Sequence, residues 1–415
     1  MGNGGWPSFA AKLVLAIAST ACGRLQFDAV ETCVECDEGG SGGPVNSGLA
    51  APVLLFQPDY QSYAANRGGP IQRGGVNEAY SIGVYADPAD GQTKLFVNDR
   101  MNNRVLVYDR IPQQSGALPD RVVGQLDFTS GLANAGQPTP NAIGMSDNVN
   151  VSVCRTGEMF VADASNHRVL VWRTVPTADG TPADFVLGQP DFTTAAAGTS
   201  SNRFNRPYAA HCIDNRLFVT DLFNHRILVY DPVPSSGDAR PRFVIGQPDF
   251  DTGTPGCAPA SLQYPYEVLH HDGHYYVADG GNHRVLVLDD GLALGPATPI
   301  AVLGQPDLSS CAPNRGTPGA DATTLDFPNS VAARADVLVV NDHDNHRVLF
   351  FRLPVATGDA AEALLGQPSF AERAQLVPPS STSFSYAKGL VLDGDFLWIG
   401  DGNNSRVLAT RLPPL

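Results

Sequence analysis

One short pattern recurs six times in this chain and constrains its fold more than any other feature. Residues 95–109 (LFVNDRMNNRVLVYD), 159–173 (MFVADASNHRVLVWR), 217–231 (LFVTDLFNHRILVYD), 275–289 (YYVADGGNHRVLVLD), 338–352 (LVVNDHDNHRVLFFR) and 397–411 (LWIGDGNNSRVLATR) share one form. Each is an apolar run, then Asp-x-x-Asn-x-Arg, then a second apolar run. The Asp recurs as Asp99, Asp163, Asp221, Asp279, Asp342 and Asp401, and the Arg as Arg104, Arg168, Arg226, Arg284, Arg347 and Arg406. A second element keeps step with it: FQPDY (56–60), GQLDF (124–128), GQPDF (188–192 and 246–250), GQPDL (304–308) and GQPSF (366–370). A fixed period of this kind, about sixty residues here, marks a repeat architecture whose units bury their apolar faces only by stacking.

Each unit divides into four short strands. Strand a precedes the first turn (151–155, 209–213), and strand b ends in the motif Asp. Strand c is the Arg-Val-Leu-Val run, whose alternation and β-branched residues suit a pleated surface. Strand d is the short run entering GQPD, such as 185–187. No part of the period reads as a long helix. Four short strands per repeat predict a propeller blade. The first motif in the chain is a lone strand d (53–57), and the last unit stops after strand c near Leu412. The expected fold is therefore all-β, a six-bladed β-propeller of four-stranded antiparallel blades, closed by the N-terminal strand completing the last blade.

The runs ADASNHRVLV, TDLFNHRILV, ADGGNHRVLV and NDHDNHRVLF resemble NHL repeats, and the preceding FNRPYA (204–209), YPYEV (264–268) and FPNSV (327–331) fit the same consensus. The resemblance spans residues 51–415. It implies the six-bladed NHL-type fold and leaves function open, because propellers of this family include binders as well as metal-dependent lyases.

Composition narrows the partners. The formal net charge is −15, so a phosphate-neutralising surface for nucleic acid is excluded as an expectation. Lys12, Lys94 and Lys388 are the only lysines, so no polybasic membrane patch exists. A monomer is expected.

The N-terminus reads as an export signal over residues 1–21. Lys12 supplies the positive end, 13–18 a short apolar core, and Ser19-Thr20-Ala21 a small-residue cleavage site. Cys22 follows directly, which resembles a bacterial lipoprotein signal with Cys22 as the acylated residue. Ser19 stands where that family usually has Leu. Gly23 resembles the sorting residue of outer-membrane lipoproteins. Residues 22–50 form a Gly/Ser-rich tether containing Cys33 and Cys36, read as a local disulfide because no second pair exists to complete a zinc site. Cys154 and Cys212 each lie nine residues before a motif Asp, on strand a of adjacent blades. They form either an inter-blade bridge or two buried thiols. Cys257 and Cys311 both follow GQPD and begin Cys-Ala-Pro, which favours a bridge between neighbouring loops.

Residues repeated six times are expected to be structural: the Asp accepts turn N–H groups, the Asn adopts a left-handed turn, and the Arg pairs with a carboxylate. His167, His225, His283 and His346 belong to this motif. Function is expected where the repeat is irregular. Counting back from each motif Asp, with a longer a–b turn allowed in blade one, places the start of strand a at Gly83, Asn150, Tyr208, Tyr266, Asn329 and Lys388, with Ser81, Asn148, Arg206, Tyr264, Phe327 and Tyr386 two residues earlier. The candidate binding ring at the channel mouth is Asn150, Arg206, Tyr208, Tyr264, Tyr266, Asn329, Tyr386 and Lys388, the tyrosines stacking and the others hydrogen-bonding. The long d–a crossings (191–206, 249–264, 307–327, 369–386) are the other recognition surface.

Catalytic residues are not expected. His211, His270, His271, His274 and His343 lie outside the motif Asn-x-Arg, and His211 and His270 alternate in facing, so no imidazole triad converges on a metal. Glu267 and Asp87 add only scattered carboxylates. The expected function is a non-catalytic binding or scaffold module at the bacterial cell envelope, for a protein, peptide or glycan ligand. It needs no cofactor, and membrane contact runs only through an N-terminal lipid. The alternative is a metal-assisted lyase or lactonase with one divalent metal near His211 or His270 in the channel.

Overall fold

The computed structural model describes residues 52–291 and 298–413. The expected signal segment, Cys22, Cys33, Cys36 and the tether lie outside the described residues. Six four-stranded antiparallel sheets follow one another in a ring. Blade one comprises Ala79–Ala86, Thr93–Asp99, Arg104–Tyr108 and Arg121–Val123, and the next four blades repeat that order. Blade six takes Ala387–Asp393, Phe396–Asp401 and Arg406–Arg411 from the C-terminal end and Val53–Leu55 from the N-terminal end. Val53, Leu54 and Leu55 pair with Ala409, Leu408 and Val407. The ring is thus closed by main-chain hydrogen bonds between the two ends of the fold, as the order of motifs predicts.

The repeated residues form one device used six times. Strand b ends at the Asp, a single 3₁₀ turn follows, and strand c begins at the Arg. The Arg Nε donates to the Asp Oδ2 at 2.7 Å in blade one and 2.8 Å in blade three, and both side chains are wholly buried. The Asp Oδ1 accepts the N–H of a residue just before strand a, such as Asn77 or Asn205. The motif Asn donates its amide to the same carboxylate. The Arg Nη1 donates to the carbonyl of the aromatic in GQPDF (Phe128, Phe192, Phe250, Phe370) or its Leu308 and Tyr60 counterparts. Its Nη2 donates to carbonyls of the d–a crossing, Gln72 and Gly75 in blade one. One guanidinium therefore ties the turn, the GQPD element and the crossing loop, and leaves its carboxylate fully partnered.

The structure moves one expectation by a residue. The left-handed turn position is the residue after the Asn, namely Asn103, His167, His225, His283, His346 and Ser405. The Asn side chain is instead committed to the Asp.

Six apolar clusters lie between successive blades, and a seventh lies around the axis, built from Tyr80, Val149, Ala162, Ala164, Tyr208, Ala209 and Leu222. Both inter-blade disulfides are formed. Cys154 and Cys212 have Cα atoms 5.2 Å apart and Cys257 and Cys311 6.1 Å apart, inside the ~4.4–6.8 Å window a bridge requires.

Candidate ligand-binding mouth of the channel

The residue that leads into strand a has a positive φ in every blade: Glu78 (69°), Asp147 (56°), Arg206 (53°), Tyr264 (50°), Phe327 (59°) and Tyr386 (52°). Its backbone N–H is gripped by the turn of the preceding blade. The imidazole Nδ1 of His167, His225, His283 and His346 accepts the N–H of Arg206, Tyr264, Phe327 and Tyr386 at 3.1–3.3 Å. Asn103 does so for Asp147, and Ser405 for Glu78. The motif histidines are thus buttresses for the rim of the next blade. A left-handed backbone costs a bulky residue about 1–2 kcal/mol, and glycine would avoid that cost. None of the six rim positions is glycine, all six are half-buried, and five kinds of side chain occupy them, Tyr264 and Tyr386 sharing one.

This ring departs from the one obtained by counting residues. The a–b turns of blades one and two are longer: Ala86 pairs with Thr93 and Val153 with Met159, whereas Ile213 pairs with Arg216. The true equivalents of Arg206 are therefore Glu78 and Asp147, not Ser81 and Asn148. The equivalents of Tyr208 are Tyr80 and Val149, not Gly83 and Asn150. Asn150 lies one step deeper, in the position held by Ser81, Glu267 and Ser330. These side chains lace adjacent strands a, accepting the N–H of Ala210, Val151, Val331 and Leu390 respectively. Asn329 is buried and accepts from Asn341 at 2.6 Å. Tyr208 is buried between Tyr80 and Tyr266, with ring centroids at 5.8 and 4.4 Å. Arg206, Tyr264, Tyr266, Tyr386 and Lys388 remain accessible at the mouth.

Counting also missed the two positions between the motif Asp and Asn. They supply Arg100, Phe223, His343 and Asp344 to the same mouth. The signal was present, because these positions vary while their neighbours repeat. Arg100 donates to Glu78 at 2.9 Å and to Asp147 at 2.5 Å, and lies over the Tyr80 ring. Arg206 also pairs with Asp147 and lies over Phe223. Burial works against the Asp147 carboxylate, but the two guanidinium groups outweigh it and hold the carboxyl below its ordinary value. Tyr266, Phe327, His343 and Tyr386 continue the aromatic lining, each ring within 6.1 Å of the next. Three acids (Glu78, Asp147, Asp344) thus face three basic groups (Arg100, Arg206, Lys388) across an aromatic floor. A cleft of ≈ 480 Å³ adjoins the mouth through Glu78, lined also by Tyr63, Met101, Val377 and Pro379.

Deeper in the channel His211 Nε2 lies 3.4 Å from Glu267 Oε1. Burial pushes the Glu267 carboxyl up to about 7 and the His211 imidazole down to about 4. Between those two values the pair carries one proton, on the Glu267 carboxyl. Alone, Glu267 would make stability fall as pH rises from 4.5 to about 7, while His211 would make it fall as pH drops from 6.5 to about 4. Between those limits the slopes cancel. Glu267→Gln should unmask the histidine: the unfolding free energy from denaturant titration should drop between pH 6.5 and 4 by about 1–3 kcal/mol more than in the parent. Parallel pH profiles for the two proteins would contradict this cancellation.

His270 lies elsewhere, with Nδ1 3.1 Å from Asp214 and Nε2 3.3 Å from Asp290. Asp87 pairs with Lys94 at 3.2 Å in the a–b turn of blade one. Among the described residues no three His, Cys, Asp or Glu side chains are grouped to hold a metal ion.

No protein-family model matches the chain, and no curated protein does. Solved structures with a similar fold include an auxiliary nutrient binding protein from Bacteroides ovatus (14% identity, 88% of this chain and 76% of that one, TM-score 0.48). Another is its counterpart from Bacteroides thetaiotaomicron (13%, 82% and 71%, TM-score 0.47). A third is the virginiamycin B lyase from Staphylococcus aureus (13%, 81% and 96%, TM-score 0.43). Likeness at this level carries nothing about binding or catalysis.

Proposed function

We propose that the chain is an exported NHL-type propeller, anchored by a lipid on Cys22, that acts as a non-catalytic binding module at the bacterial cell envelope. The observation that carries the binding reading is the rim: six strained backbone positions, holding five kinds of side chain where glycine would cost least. Among protein, peptide and glycan ligands, a glycan suits the mouth best. Its charges balance although the protein as a whole is strongly acidic, so it selects for neither anions nor cations. Half-exposed rings at Tyr264, Phe327 and Tyr386 offer stacking faces, and paired Arg and carboxylate groups offer fixed donors and acceptors for hydroxyls. Two disulfides support export, since such bridges persist in oxidising compartments.

The test is capture of ligand from an envelope extract, followed by calorimetry with purified oligosaccharides. Tyr264→Ala with Tyr386→Ala should weaken binding about tenfold or more, at about 1 kcal/mol per lost stacking face, and leave the melting temperature within a few degrees. A ligand whose affinity ignores both changes would remove the mouth from consideration. Stoichiometric divalent metal in the purified protein would shift the balance to the lyase or lactonase reading.

A further inference from the structure

Three side chains at the mouth form a hydrogen-bonded chain that a binding surface does not require. Lys388 Nζ lies 2.7 Å from His343 Nε2, and His343 Nδ1 lies 2.5 Å from Asp344 Oδ1. An ionised carboxylate only accepts, so Nδ1 carries the imidazole proton and donates it to Asp344. Nε2 of the neutral ring is then an acceptor, and Lys388 donates to it. His343 is buried, and Asp344 projects to solvent. The ammonium stem passes between the Tyr80 and Tyr386 rings, with Nζ 5.1 and 5.7 Å from their centroids. The other described lysine is held differently: Lys94 makes ion pairs with both Asp87 and Asp90.

The geometry points to Lys388 as a nucleophilic amine that condenses with the carbonyl group of an aldehyde or ketone entering the mouth, with His343 accepting the proton and Asp344 positioning the imidazole. The Nζ lone pair adds to the carbonyl carbon, and the C=O π pair moves to oxygen, which takes up a proton. His343 Nε2 carries the first proton shed by nitrogen to that oxygen and the second to the departing hydroxyl. Water leaves and a C=N bond remains, so one amine and one carbonyl give one imine and one water. No oxidant or reductant is involved. The open-chain end of a reducing sugar belongs to this substrate class, and that arm alone rests on the glycan reading above.

The electrostatics agree with the geometry. Burial lowers the Lys388 ammonium to about 8, with Arg100 acting in the same sense and Glu78 and Asp344 against it. Burial also brings His343 down to about 4, which keeps it a base, with Lys388 and His346 adding to that and Asp344 opposing. Tyr80, pushed up to about 12 by burial, stays neutral beside the amine.

The experiment uses the purified full chain with benzaldehyde and cyanoborohydride, which traps the imine, and maps the labelled lysines by mass spectrometry. Nα-acetyl-lysine methylamide in the same vessel serves as the reference amine. At pH 7.5 Lys388 should label about tenfold or more faster than the reference despite its partial burial. Its rate should rise with pH through a midpoint near 8. His343→Gln should slow labelling by about tenfold or more, and Asp344→Asn should move the midpoint. Labelling of Lys388 no faster than the reference, or a midpoint near the ordinary lysine value of ~10.4, overturns the proposal. The wild-type comparison needs no variant, so it decides even if a substitution impairs folding. It also reads no glycan, so failure of the glycan reading leaves it intact.

Discussion

A chain that begins after Phe56 is expected to lose the cooperative melting transition of the full protein and to self-associate. Val53, Leu54, Leu55 and Phe56 are each at most 2% exposed, and Val53–Leu55 is the outer edge strand of blade six. At roughly 1.5–3 kcal/mol per fully buried apolar side chain, their removal costs on the order of 6–12 kcal/mol before relaxation. That approaches the whole stability of a typical domain, ~5–15 kcal/mol. The truncation also bares the strand Arg406–Arg411 as an unpaired edge, which invites pairing with another molecule. Arg406 loses the Tyr60 carbonyl unless the following loop holds its place. Calorimetry and size-exclusion chromatography on the two lengths of protein measure this. A monomeric truncated chain melting within a few degrees of the parent would show that the ring does not depend on its closing strand.

The second large effect is expected at the buried guanidinium groups. Arg226→Met should destabilise the protein by about 3–5 kcal/mol, because removing one partner leaves a buried charge uncompensated. Asp221 keeps only the Asn205 N–H and the Asn224 amide, and the carbonyls of Ser200, Arg203 and Phe250 lose their donor. Arg226→Lys should recover little, since an ammonium cannot reach carboxylate, crossing loop and GQPDF carbonyl together. Asp221→Asn combined with Arg226→Met should recover part of the loss by discharging the carboxyl. Denaturant titration of the three variants gives the ordering. Equal stability of Arg226→Met and the parent would mean that the six-fold pairing is dispensable at this blade.

The fold could be read from the sequence because its determinants are local and repeated. The Asp and Arg of each unit meet across one turn, and the motif order at the two ends dictates the closure found at Leu54 and Leu408. The mouth was only half legible. Register within strand a depends on how many residues the a–b turn consumes, and that number changes in blades one and two, so counting landed on Ser81 and Asn148 instead of Glu78 and Asp147. Tyr208 and Asn329 were found at the right level, but burial turns them from contact residues into packing. The roles of His167, His225, His283 and His346 could not be deduced within one repeat, because each acts on the next one. The chain from Lys388 through His343 to Asp344 joins blades six and five, and no local pattern announces it.

The buttressing of the rim has a consequence for how this architecture diversifies. Each blade clamps its neighbour through a main-chain amide, which every residue except proline possesses. The frame is therefore indifferent to the six side chains it displays. Exchanging Arg206, Tyr264 or Tyr386 for residues of other chemistry alters what the opening presents while the scaffold beneath keeps its shape. A torus built on these terms works like a type-case: the slots are fixed and the letters are interchangeable.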